Sequence, residues 1–299
     1  MYLKKPKAST DPRLRSLLQK AVRRGADRVV EATIRSINAI GDRAWLRSRA
    51  VVITFEESWP LAQSLALTRD QLTKEAALLR VSRATKQKDA AGLGALAFAF
   101  HEDDQSMLDL VPSKWALRVV SEGLDRPGAY FDWALSQCSS AESRRVVMAA
   151  REYLAAATWG WDKATILAGA FLAASGGVPA LPPSEPACSH FPYWVALDKH
   201  TPEGKEALRQ VAAKCGTAYR QLIWAGFYCE SATVNALDPS VWFEVERSWR
   251  LRKAGLNMQT AMELWNRFRP MIYAELSATA ERLRSQVEDQ PVGQGNLFT

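Results

Sequence analysis

Apolar side chains recur every three or four positions along almost the whole chain, and no run alternates with the period of two that a half-buried strand requires. An all-α fold is therefore expected. Leu14, Leu17, Leu18, Ala21 and Val22 form one helical stripe, and Val29, Val30, Thr33, Ile34 and Ile37 form the next. Asp11 and Pro12 suit an N-cap and first helical position, while Gly25 and Gly41 suit the left-handed residues that end helices. The spacing predicts further helices over 69–82, 104–122, 126–138, 140–157, 160–174, 202–214, 216–229, 239–253 and 257–287.

The stretch ASGGVPALPPSEPACSHFP, residues 174–192, carries two glycines and five prolines and cannot continue a helix. It reads as a loop joining two helical lobes, 1–184 and 185–287, with 288–299 as a flexible tail. Hydrophobic residues make up 47% of 299, enough for a sizeable core. Eleven tryptophans are many for this length; Trp159, Trp161, Trp194, Trp224, Trp242, Trp249 and Trp265 fall mostly on apolar helix faces, leaving one or two as stacking platforms.

Lys and Arg total 39 against 32 acidic residues, a balance that favours an anionic partner, nucleic acid first. The four cysteines, 138, 188, 215 and 229, fall in no tight metal spacing and read as reduced thiols. Cys188, His190 and His200 could be drawn as three zinc ligands but lack an apparent fourth, so no metal and no cofactor is expected. The first residues lack a signal-peptide core, and the apolar run at 164–174 is too short to span a bilayer, so a cytoplasmic protein is expected. No G-x-x-x-x-G-K-[ST] loop occurs, and GLGALAF at 92–98 follows no predicted strand, which argues against ATP hydrolysis.

The segment FPYWVALDKHTPEG, residues 191–204, holds the leading candidate site. Thr201, Pro202 and Glu203 have an ordinary role at a helix start. Asp198, Lys199 and His200 are not required by that cap, and Phe191, Tyr193 and Trp194, with Trp59 elsewhere, could wall a slot for a planar group. A flipped base stacks between aromatic rings, while a carboxylate stabilises a developing sugar cation and an amine attacks the sugar or polarises the base. Glu56, beside Glu57 and Trp59, is a further candidate acid. Adjacent side chains on an extended segment point apart, however, and the triplet equally reads as helix-start decoration. Arg23, Arg24, Arg47, Arg49, Lys205, Arg250, Arg252 and Lys253 are candidates for phosphate contact, or else solvated helix faces.

Three resemblances bear on function. SLLQKAVRRGAD at 16–27 and GDRAWLRSRAVVITFEES at 41–58 resemble the helical collar of clamp-loader-related, replication-associated recombination ATPases, over about the first 60 residues and without the ATPase module. The tail residues Gln294, Leu297 and Phe298 resemble the peptide by which bacterial DNA-maintenance proteins attach to the sliding clamp, although Gly295 departs from its usual second residue. Around Trp242 and Trp249 the chain loosely resembles helix-hairpin-helix repair glycosylases, without their double-glycine hairpin or later aspartate; in overall character it looks like stand-alone bacterial antiviral glycosylases acting on modified phage DNA. These imply a DNA glycosylase, or alternatively a non-enzymatic adaptor tethered to the clamp.

Overall fold

A computed structural model describes residues 11–67, 71–182, 190–234 and 236–289. The described residues are all-helical, with thirteen α-helices and no β-strand among them. The first two helices follow the expected stripes: α1 (Pro12–Arg23) is capped by the Asp11 carboxylate, which accepts from the Arg13 amide at 2.9 Å, and α2 (Asp27–Ala39) follows Gly25 at φ 69°. Gly41, at φ 79°, leads into α3 (Arg43–Ser58), which tightens into a 3₁₀ segment over Trp59–Leu67, and α4 (Gln71–Arg83) follows.

Next comes a helix that the apolar spacing does not announce, α5 (Asp89–His101). It is apolar on every side, so it has no amphipathic period to read, and it is buried on every side for the same reason. Two glycines let neighbours reach its backbone. A methyl at Gly92 would overlap the backbone of Trp242 and Phe243, and one at Gly94 would lie 2.6 Å from the Cα of Thr165.

The remaining helices are α6 (Lys114–Asp125), α7 (Pro127–Gln137), α8 (Ala141–Tyr153), α9 (Gly160–Gly176), α10 (Pro202–Lys214), α11 (Tyr219–Gly226), α12 (Val241–Lys253) and α13 (Met258–Glu288). Two begin at least three residues later than the spacing predicts. The helix expected from 104 begins only at Lys114: Asp103 sits at φ 63°, Asp104 accepts from the Ser106 amide at 2.9 Å, and the Ser113 hydroxyl caps α6. The one expected from 216 begins at Tyr219, since Gly216 is left-handed at φ 63°. It then widens into a π turn over Phe227–Ser231. α9 runs to Gly176, two residues into the expected loop, and 183–189, including Cys188, lie outside the described residues.

The buried side chains form two clusters that interleave along the chain and do not meet at residue 184. The first unites α1, α2 and α4 with residues 191–197, α10, α11 and α13; the second is built from α5 to α9. Helices α3 and α12 serve both. Leu46, Ala50 and Ile53 face the first cluster while Val51, Val52 and Phe55 face the second, and Phe243 and Leu251 likewise oppose Trp242 and Trp249. No helix among the described residues is long and apolar enough to cross a membrane.

Because Gly94 lies at a backbone-to-backbone crossing, Gly94→Val should destabilise the fold by about 1–3 kcal/mol or more through overpacking. Thermal unfolding followed by circular dichroism should show a Tm several degrees lower; an unchanged Tm would mean that α5 and α9 are not in this contact.

Candidate functional site

Helix α1 carries Ser16, Lys20 and Arg23 at spacings of four and three, which places all three on one face, and that face is buried. Arg23 is 2% exposed. Its Nε and one terminal nitrogen donate to Glu57 Oε1 at 2.8 and 2.6 Å, the same terminal nitrogen reaches Glu56 at 3.1 Å, and the other donates to the Ser231 carbonyl at 2.9 Å. The second Glu57 oxygen accepts from Lys88 Nζ at 2.8 Å. Burial alone would raise the Glu57 carboxyl, but Arg23 and Lys88 outweigh it and hold the group down at about 2.

One turn earlier on α1, Lys20 Nζ meets Asp198 Oδ2 at 2.8 Å and donates to the Ser16 hydroxyl at 2.8 Å. The Asp198 carboxylate also accepts from the His200 amide at 3.0 Å and lies 2.9 Å from His200 Nδ1. Burial opposes its charge, yet Lys20 and His200 keep it well below the ordinary carboxylate range. His200 itself is lowered, chiefly by burial and against the pull of Asp198.

A cavity of about 390 Å³ opens at the seam between the two clusters. Its walls come from α1 (Gln19, Lys20, Arg23), α3 (Arg49, Glu56), the start of α9 (Trp161, Asp162), Lys199 and His200, the turn after α11 (Phe227) and α12 (Glu246, Arg250), with Lys88, Trp159, Trp224 and Phe243. Arg49 braces one side, donating to Asp162 at 2.8 Å and to the Gln19 side-chain Oε1 at 3.1 Å and lying 3.3 Å from Glu56. The Lys199 ammonium stands 3.7 Å from the centre of the Trp224 ring and 4.1 Å from that of Phe227. Burial, and then the Arg250 guanidinium, lower it to about 7. Arg250 lies over Trp161 and Trp224 at 4.4 and 4.7 Å.

Of the expected site residues, Lys199, His200, Glu56, Arg23, Arg49 and Arg250 line this cavity. Asp198 does not; it is spent on Lys20 and His200 behind the wall. The slot expected from Phe191, Tyr193, Trp194 and Trp59 is absent from the cavity walls, because all four rings are buried in the clusters. Tyr193 donates to Glu288 at 3.0 Å, Trp194 stacks on Trp265 with ring centres 6.2 Å apart, and Trp59 donates to Gln87 at 2.6 Å. Trp159, Trp161, Trp224, Phe227 and Phe243 supply the rings instead.

Nor do the phosphate candidates form one surface. Arg23 is internal, Arg24 is tied to the Glu230 carboxylate at 3.0 Å, Arg252 to Asp109 at 2.6 Å and Lys253 to Asp104, while Arg47 and Lys205 are exposed. Gln294, Leu297 and Phe298 lie outside the described residues. Apolar spacing does not mark Lys88 or Asp162 as site residues and marks Trp161 only as one of the tryptophans open to stacking; the Trp-Gly-Trp-Asp run that opens α9 is the sequence signal for Trp161 and Asp162.

No protein-family model, no curated protein and no solved structure matches this chain.

Glu57→Gln leaves the buried Lys88 without its paired carboxylate and Arg23 with Glu56 alone, and should cost about 3–5 kcal/mol at pH 7. The folded-state pKa lies below the ordinary 4.5, so the wild-type contribution is complete above about 4.5 and fades as pH falls toward 2. Denaturant unfolding of both proteins across that range should show the gap closing with acid; a gap constant in pH would separate Glu57 from this stabilisation.

Proposed function

We propose that the chain is a DNA glycosylase that receives an extruded nucleotide in the seam cavity and breaks its N-glycosidic bond. The observation that carries this reading is the Lys199 amine, flanked by two aromatic rings and lowered to about 7, so that a large fraction is unprotonated at neutral pH. A cavity of about 390 Å³ falls within the roughly 300–1,000 Å³ of small-ligand sites. The rings favour a planar base, and Arg49, Lys20 and Arg250 favour the phosphate beside it.

In this mechanism the lone pair of Lys199 Nζ attacks C1′ of the sugar. The C1′–N bond breaks, the departing base keeps its electron pair, and it takes a proton from water. The amine–sugar adduct loses its own proton and opens to a Schiff base, which water hydrolyses to the abasic aldehyde and free Lys199. Glu56, Asp162 and Glu246 are the carboxylates on the cavity wall that can face positive charge developing at the sugar, the first two already paired with Arg49 and the third with Arg250. His200 Nε2 offers a base for water in a route without the amine. Asp198 acts on this chemistry through His200 and through the backbone that carries Lys199. DNA is the partner in this reading, and attachment to a sliding clamp through Gln294, Leu297 and Phe298 belongs to the same proposal.

DNA carrying an abasic site, mixed with the protein and borohydride, should give a covalent adduct in wild type and in Lys205→Ala, and none in Lys199→Ala. The yield should climb as pH rises through about 7, where the amine loses its proton. Removing the nearby positive charge with Arg250→Gln should move that midpoint to higher pH. Abasic sites formed from modified DNA without any adduct would shift the mechanism to His200; neither adduct nor abasic sites from any modified DNA would overturn the glycosylase reading and leave the clamp-tethered adaptor.

A further inference from the structure

A second chamber of about 440 Å³ adjoins the first. The two share Gln19, Lys20, Arg49, Trp159, Asp162 and His200 as walls. Beyond them the second is closed by the beginning of α1, with Arg15, and the first turn of α3, with Trp45 and Ser48. Lys199, Trp224 and Arg250 line only the first.

Its chemistry repeats that of its neighbour in simpler form. The Arg15 guanidinium lies 4.7 Å from the centre of the Trp45 ring and 3.3 Å from the Asp42 carboxylate, so the pair offers a flat plate whose charge is partly answered by Asp42. Trp159 is 73% exposed, far beyond what a core role would leave, and it borders both chambers. Arg49 and Lys20 bring donors to the shared wall, Arg49 already meeting Asp162 and Glu56 and Lys20 already meeting Asp198. Asp162 is the only carboxylate on this chamber's lining, and Arg49 holds it at 2.8 Å. Flat aromatic or guanidinium faces and a wall of donors, without a reactive amine, suit the binding of a base and its phosphate and not their chemistry.

We infer that this chamber is a second nucleotide subsite, taking the residue next to the reacting nucleotide on the same strand, its base against Trp159 or the Arg15–Trp45 plate and the linking phosphate against Arg49 and Lys20. The inference rests on the glycosylase reading for the first chamber. It adds that the substrate is held as at least two unstacked nucleotides, and that the neighbour's identity affects binding.

Calorimetry with a 5′-phosphorylated thymidine mononucleotide, the corresponding dinucleotide, and a dinucleotide whose second residue lacks a base tests this on the full chain. The dinucleotide should bind roughly 5- to 150-fold more tightly than the mononucleotide, the gain typical of one stacked base. Most of that ratio should vanish for the baseless dinucleotide. It should also shrink in Arg15→Gln and recover in part in Arg15→Lys, which restores charge without the flat face. If the mononucleotide fails to bind, the first-chamber reading falls and takes this one with it. If it binds but the dinucleotide gains nothing, or the gain survives both removal of the base and Arg15→Gln, the second subsite alone is overturned.

Discussion

The seam between the two apolar clusters is closed by ions. Arg23 from α1, Glu57 from α3 and Lys88 at the entrance to α5 meet away from water, and the free end of the Arg23 guanidinium reaches the Ser231 carbonyl in the π turn after α11. Dehydrating three charges costs several kcal/mol for each, an amount recovered only when geometry is good and the remaining donors are satisfied. Here both Glu57 oxygens are engaged, and three of the guanidinium's nitrogens have partners. An apolar seam of equal area would tolerate sliding of one cluster over the other. This one fits in a single register, because any shift strands a buried charge.

Around the cavity Arg23 and Lys88 meet Glu57, Lys20 meets Asp198, Arg49 meets Asp162 and Arg250 meets Glu246, whereas Lys199 faces two rings. Lys199 has two rings beneath its ammonium group, and cation–π attraction of about 0.5–2 kcal/mol favours its charged form. Its proton is nevertheless held weakly: burial and Arg250 act in the opposite direction and prevail. Asp198, adjacent in sequence, could have restored the proton had it faced the same way. Its carboxylate instead neutralises Lys20, so the buried pair on α1 is a condition for the amine's state.

Much of this was legible in sequence where a residue's role is local. The stripes of α1 and α2, the Asp11 cap and the left-handed Gly25 and Gly41 follow from spacing and residue type alone. Helix α5 escaped because a segment surrounded by protein has no polar face to mark its period. The aromatic segment before Asp198 misled for a related reason: an apolar run signals burial, and Phe191, Tyr193 and Trp194 are wedged against α13 and do not wall a slot. Lys199 and His200 stood out as chemistry-bearing side chains with no capping duty. Their partners did not, since Lys20, Trp224 and Arg250 lie many residues away and only packing brings them near.

The triplet at 198–200 posed a choice between a helix start and a reactive site, and the geometry makes these one object. The Thr201 hydroxyl accepts from the Gly204 amide at 3.1 Å, capping α10, while the Thr201 amide and hydroxyl both donate to the Asp198 carbonyl, at 2.9 and 3.1 Å. The Asp198 backbone is thereby pinned to the helix end, so closely that a methyl at Gly204 would overlap its carbonyl. The backbone turns here, closed by that Thr201 amide bond, and with the Asp198 carboxylate drawn to Lys20 the next side chain lies toward Trp224 and Phe227. His200 returns to Asp198 and closes the turn. A helix cap, ordinary in itself, is therefore what aims the amine into the cavity.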